Sequence, residues 1–241
     1  MRKVYKGVNL RDVKTRKDLN DNLEDVFKCF ARRVCDNYDL EQGLKLTYWL
    51  NYWCHNYIPI EKDFNYEEEL LQYRRGDVIS VNLGFNIGSE QGGLHYAIVL
   101  DNACDKSSRT LTVIPLSTHR KECKSENDYS KYEVLIDNSI FTNEIRRLKN
   151  KLTSLNSKCM DINTTESDKK KILRDIKFLQ KELTKISSKE RIYAQPAQIK
   201  NISKLRIYYP TEVGDILYNV NIGEDNLNNI ENKIKELFFK K

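Results

Sequence analysis

Between Gly76 and Gly93 the chain carries five of its nine glycines, and His95 follows two residues later. Histidine is the side chain whose ordinary pKa lies nearest neutrality, so one set beside a polar, glycine-rich loop is suited to taking up or giving a proton. Further on, Ser117, Thr118, His119 and Arg120 put two hydroxyls, an imidazole and a guanidinium in a row. Such groups can hold and polarise a phosphate. Each also has an ordinary structural use: a lone histidine at a strand start is usually packed and hydrogen-bonded, and Ser-Thr commonly ends a strand in a turn.

These groups need elements to position them. Ile79, Val81 and Leu83 alternate with Val78, Ser80 and Asn82, which predicts a half-buried strand. Tyr96–Leu100 and Leu111–Leu116 are two further β-branched runs. Gly88-Ser-Glu-Gln-Gly-Gly93, between the first and second strands, is too rich in glycine for an element interior and reads as a loop. Glu90 and Gln91 in it can orient a substrate or satisfy loop amides.

The ordered set of Gly76-Asp77-Val-Ile, the glycine loop, the Ala-Ile-Val-Leu strand and Leu111-Thr-Val-Ile-Pro-Leu-Ser117 closely resembles the PemK/MazF family of toxin endoribonucleases. Ala197-Gln-Ile-Lys-Asn201 resembles a later strand of the family, so the likeness is read over 75–137 and 191–241. It implies an α+β fold built on a small SH3-like β-barrel with a C-terminal helix. It also implies a homodimer, a cognate antitoxin, and metal-independent cleavage of single-stranded RNA without a cofactor. Cleavage by the 2′-hydroxyl leaves a 2′,3′-cyclic phosphate and a 5′-hydroxyl. The family has an arginine just after the loop and a Thr or Ser at the end of the third strand. Here those positions are His95 and Ser117, with Thr118 beside it. The resemblance makes these three the catalytic candidates. Beside them, Glu90 and Gln91 can orient the substrate or His95, His119 and Arg120 can contact its phosphates, and Arg75 and Lys200 either bind phosphate or stand as solvated strand-end charges. Pro-Leu-Ser-Thr is also similar to the related ToxN-type toxins, for which the antitoxin is an RNA rather than a protein.

Around this block the chain adds two segments. Residues 1–73 form a helical extension: Leu19, Leu23, Val26, Phe27, Phe30 and Val34 recur at helical spacing over 18–34, capped by Asp18 or Asn20. A second helix covers 40–57 and ends at Pro59. Its Tyr48, Trp49, Tyr52 and Trp53 are expected in a core, although such a cluster can also stack bases. Within the 74–241 domain, residues 139–190 carry two leucine and isoleucine heptad stripes separated by a polar link, and predict an inserted antiparallel coiled-coil hairpin. The insertion holds 13 Lys and Arg against 7 Asp and Glu, matching the net charge of +6 of the whole chain. Its position suggests an accessory role. Ile216–Val220 reads as an extended run, and Asp225 as the cap of a closing helix.

Composition bounds the rest. The 241 residues are 39% hydrophobic with four prolines, enough for a packed core. No run is long enough for a signal peptide or a membrane span, which suggests a cytoplasmic protein. The six cysteines form no CxxC pair, so no zinc site is indicated, and Cys29 and Cys35 in helical sequence read as small buried residues. Two other classes of function compete with the nuclease. One is a noncatalytic RNA- or protein-binding module on the same barrel; the other is a structural adaptor that docks partners through barrel and hairpin.

Overall fold

The computed structural model describes residues 12–62, 70–102, 107–118, 131–161, 165–188 and 191–239. It divides into two compact units, Met1–Pro59 and Ile60–Lys241.

In the first unit α1 spans Arg16–Asn37. Its cap is Thr15, upstream of the expected Asp18 or Asn20: Thr15 Oγ1 accepts from the Asp18 amide, and the Asp18 carboxylate accepts from the Thr15 amide at 2.8 Å. Helix α2, Leu40–Tyr52, is capped by Asp39, which accepts from the Gln42 amide at 2.7 Å. Pro59 does not end the helical path. A π turn at Trp53–Tyr57 leads into a one-turn helix α3, Ile58–Ile60. In a regular helix the Pro59 ring would press on the carbonyl four residues back; widening the preceding turn relieves that contact.

The apolar residues of this unit do not form the expected core. Leu19, Leu23, Val26, Phe27 and Phe30 are exposed, as are Tyr48 and Trp53, while Trp49 is half-buried with its ring 5.0 Å from that of Trp53. Cys29 is half-buried and Cys35 exposed, rather than buried. Helical spacing creates an apolar stripe, but the surface that covers it must come from elsewhere in the sequence or from another chain.

The second unit is an antiparallel sheet dressed with helices. Its strands are β1 (Val78–Asn82), β2 (Leu94–Val99), β3 (Thr110–Thr118), β4 (Val134–Ile136), β5 (Ile192–Ala194), β6 (Lys200–Ser203) and β7 (Ile207–Tyr209). The order is β4-β5-β3-β2-β1-β7, with β6 also paired to β3. Strands β4 and β7 are not paired with each other, so the sheet is open rather than the closed barrel expected. Both end strands are only three residues long, and the sheet packs against helices instead of closing on itself.

One edge of β3 serves two partners. Its first half pairs with β6 through Leu111 and Ile202, its second half with β5 through Ser117 and Tyr193. The change falls at Pro115, whose carbonyl accepts from the Gln195 amide at 3.0 Å but which has no N–H to return. There the chain leaves the sheet as a short 3₁₀ turn, Pro196–Gln198.

Alternation along the strands builds two cores. Val78, Ile98, Ile114 and Leu116 pack under one face with Phe141, Leu148, Leu179 and Ile186 of the insertion and with Leu227 and Ile230 of the last helix. Ile79, Val81, Ala97, Leu111 and Ile202 pack on the other face. The insertion is the helix pair α4 (Thr142–Met160) and α5 (Glu166–Ser187), α5 folding back along α4. It adds no strand, yet its base is part of the main core, so it is not merely appended.

Two polar contacts fix that base. The buried Glu144 carboxylate takes a fork from Arg147, at 2.8 Å to each oxygen, and also accepts from the Leu217 amide at 2.9 Å. Arg147 in turn donates to the carbonyls of Gly214 and Asp215. The Tyr209 hydroxyl donates to buried Glu182, and burial first of all pushes the phenols of Tyr209 and Tyr96 far above their ordinary range. Because Glu144 holds Leu217 at φ 67°, residues 216–219 form a turn instead of the expected extended run. The closing helix α6 spans Gly223–Phe238, with Asp225 in its first turn rather than at its cap.

Candidate active site

The site is built where β2 begins and β3 ends. Ala97 pairs with Pro115, and the same antiparallel register carried two residues further sets His95 against Ser117. Both share the face of Ala97 and Val113. His95 Nδ1 lies 3.3 Å from the Leu116 carbonyl. A carbonyl can only accept, so as a hydrogen bond this contact is donated by Nδ1.

The loop over this end is closed by glycine. Residues 83–93 connect β1 to β2, and their neck is tied by the Gly93 amide to the Gly84 carbonyl at 2.6 Å and the Leu83 amide to the Gly93 carbonyl at 2.8 Å. A Cβ on Gly92 would sit 2.8 Å from the Gly84 carbonyl oxygen, which is why the crossing needs a residue without one.

Amides then link the loop to the strand ends. Gln91 Nε2 donates to Gln195 Oε1 at 3.0 Å, and Gln195 Nε2 donates to Ser117 Oγ at 2.9 Å and to the buried Glu133 carboxylate at 3.3 Å. The Gln91 amide donates to Gln198 Oε1, and Gln198 Nε2 donates to the Ser89 carbonyl. Lys200 Nζ donates to the Gln91 carbonyl at 2.9 Å. At the same end Arg206 donates to the Asn82 carbonyl at 3.3 Å, next to Val81, the cross-strand partner of His95.

The structure therefore brings His95, Ser117, Gln91 and Lys200 together. Thr118, one residue on, belongs to the opposite pleat of β3 and is exposed. Glu90 is exposed in the loop. Arg75 is elsewhere: it donates to the Leu100 carbonyl and to Glu231, at the far end of β2, some five residues or about 17 Å along the strand from His95. His119 and Arg120 lie outside the described residues.

Glu133, Gln195, Gln198 and Arg206 were not among the sequence candidates. Pro196 directly after Gln195 marked a break in a strand, but nothing local showed that the two glutamines flanking that turn reach a loop about a hundred residues away. Two concavities flank the 211–221 turn, and neither is lined by His95 or Ser117.

Residues 74–185 match the family described as PemK-like, MazF-like toxin of type II toxin-antitoxin system. Comparison with curated proteins gives no match. The matched segment takes in β1 to β4 and most of the helix pair, whereas β5 to β7 and α6, where the sequence also suggested a likeness, lie beyond it. Among the described residues no helix is long and apolar enough to cross a membrane. With its glycine-necked loop and the strand ends it covers, the segment 74–185, a little under half of the chain, is what matches the PemK-like, MazF-like toxin family of type II toxin-antitoxin systems, whose members are generally endoribonucleases with an RNA substrate and a protein antitoxin.

Proposed function

We propose that this chain is the toxin of such a pair and cuts single-stranded RNA by metal-independent transesterification. The 2′-oxygen attacks the adjacent phosphorus, the bond to the 5′-oxygen breaks, and the products carry a 2′,3′-cyclic phosphate and a 5′-hydroxyl. The attacking hydroxyl must lose a proton and the departing oxygen must gain one. His95 is the proton-transfer group, its ring held at the end of β3 by the contact of Nδ1 with the Leu116 carbonyl. The observation that carries this reading is the contact of His95 Nδ1 with the carbonyl of Leu116, the residue before Ser117, where the loop joins β2.

Ser117 accepts from Gln195, which leaves its own hydroxyl hydrogen to donate to a phosphate oxygen. Of the two adjacent hydroxyls it is therefore Ser117, rather than Thr118, that faces the reaction. Lys200 and Arg206 supply positive charge along the same edge, with His119 and Arg120 as further cations of the adjoining segment. Gln91 positions the loop, and Glu90 at its exposed tip meets the RNA. The 74–241 domain acts in the cytoplasm under the control of a protein antitoxin.

The test is incubation of the purified chain with a mixed-sequence single-stranded RNA in EDTA, with the ends of every fragment mapped. Cuts at restricted sites ending in cyclic phosphate are expected. His95→Ala should lower the rate about 10²–10⁴-fold, the usual contribution of a positioned acid or base. Ser117→Ala, which removes one hydrogen bond to a charged group, should lower it by roughly 10- to 100-fold. No cleavage of diverse RNAs by well-folded, antitoxin-free protein would replace this reading with the noncatalytic binding module.

A further inference from the structure

The apolar stripe of α1 is the largest feature of the chain that the nuclease reading leaves unused. Leu19, Leu23, Val26, Phe27 and Phe30 are all exposed, and Val34 continues the stripe, half-buried with its Cγ1 toward Gly43 of α2. Helices in proteins owe most of their stability to packing of such a face. Among the described residues of its own unit the face is left exposed.

Two observations say what covers it. The first is order: counted along α1, the six residues are spaced 4, 3, 1, 3 and 4, the same from either end. A stripe that reads alike in both directions fits a second copy of itself laid antiparallel about a two-fold axis between Val26 and Phe27. Leu23 then meets Phe30, Leu19 meets Val34, and Val26 meets Phe27 of the other chain. Such an isologous contact is self-complementary by construction. The second is charge: residues 16–26 hold Asp18, Asp21, Glu24 and Asp25 against Arg16 and Lys17, a net −2, and residues 27–37 hold Lys28, Arg32 and Arg33 against Asp36, a net +2, and about that axis Lys17 faces Asp36, Asp21 faces Arg32 and Asp25 faces Lys28. The antiparallel arrangement lays each acidic half along a basic half, whereas a parallel one sets like against like.

We infer that α1 is a self-association helix, pairing antiparallel with α1 of a second copy of this chain. The inference is independent of the RNA-cleavage reading. It places the contact in residues 16–37, outside the segment that matches the toxin family.

Sedimentation equilibrium of the full chain and of its Phe27→Glu variant tests the pairing. Two Phe27→Glu chains would set carboxylates inside the seam near the axis, so the variant's mass at micromolar concentration should be half that of the unsubstituted chain. An unchanged mass would overturn the inference. Cross-linking then tests partner and direction without disrupting the seam. In full-length chains freed of native cysteines, a mixture of Leu23→Cys and Phe30→Cys should form a mixed disulfide dimer, and Leu23→Cys alone should form little. Preferential linkage of Leu23→Cys to itself, or no linkage in the mixture, would refute antiparallel self-pairing and assign the face to a different protein.

Discussion

Arg147→Ala offers the sharpest test of how the insertion is held to the sheet. The Glu144 side chain is 2% exposed, and in the intact protein its charge is met by both arms of the Arg147 fork and by the Leu217 amide. Removing one partner of a buried pair typically costs about 3–5 kcal/mol, because the other charge is left behind. Arg147 itself is 36% exposed, so solvent screens part of the attraction, and roughly 3 kcal/mol is the expected loss. For a unit of this size that is a fall of about 6–12 °C in Tm.

The assay is urea denaturation at pH 7 followed by far-ultraviolet circular dichroism. The double variant Glu144→Gln/Arg147→Met should lose less than Arg147→Ala, since a glutamine oxygen still accepts from Leu217 without stranding a charge. A loss below about 1 kcal/mol, or a double variant less stable than the single one, would refute the claim that this pair anchors the insertion.

Three further outcomes follow from the site and its backing. Gly92→Ala must push against backbone at Gly84 and Asn86, so kcat/KM for RNA should fall roughly 10- to 100-fold with the circular dichroism spectrum intact; activity within twofold of the parent would sink the role given to the loop neck. Lys200→Met removes a cation and its tie to the Gln91 carbonyl, and should make the salt dependence of single-strand binding shallower by about 0.7 in log–log slope, measured by fluorescence anisotropy. Tyr209, whose phenol pKa is raised by burial, stays protonated in the folded chain when unfolded tyrosines ionise. Stability should therefore be full below pH 10 and decline above it, by up to about 1.4 kcal/mol per pH unit for this group, and Tyr209→Phe should flatten that decline.

Sequence alone exposed whatever has a short period. The alternation in 78–83 and the β-branched runs after it became β1, β2 and β3, and the heptads of the insertion became α4 and α5. What it concealed depends on distant partners. Ile216-Leu-Tyr-Asn-Val220 has the composition of a strand, yet a carboxylate 73 residues earlier holds Leu217 in a left-handed turn. The aromatic stripe of α2 was expected in a core because periodicity reports that a face is apolar, not that anything covers it. At the candidate site, the places of His95 and Ser117 relative to the loop could be read from the sequence, and the fold puts His95 against Leu116, the neighbour of Ser117. Gln195 and Glu133 were not, since what joins them to Ser117 is the break in β3 pairing at Pro115. Arg75 shows the converse: being next to a motif in sequence placed it among the candidates, while the β2 strand carries His95 away from it.

That separation has a mechanical meaning. The far end of β2 is held from several sides: the Gly76 amide donates to the Val99 carbonyl at 2.8 Å, the Val99 amide to the Asp77 carbonyl at 3.0 Å, and Arg75 reaches both Leu100 and Glu231 of α6. Asn221 ties the same turn to the start of α6, donating to the Arg75 carbonyl and the Asp77 carboxylate at 2.9 Å. One end of the sheet is thus clamped, and the other presents a loop and polar strand ends, the division expected of chemistry carried by loops on a rigid support. If Arg75 belongs to the clamp, Arg75→Ala should cost stability and spare chemistry. Its ion pair with Glu231 joins side chains 26% and 38% exposed and contributes at most about 1 kcal/mol, and the bond to Leu100 adds roughly 1 more. The variant should lose about 1–2 kcal/mol in urea denaturation while kcat and KM per folded molecule stay within twofold of the parent. A KM that rises tenfold at unchanged stability would instead put Arg75 on the RNA, and with it extend the binding surface along the whole length of β2.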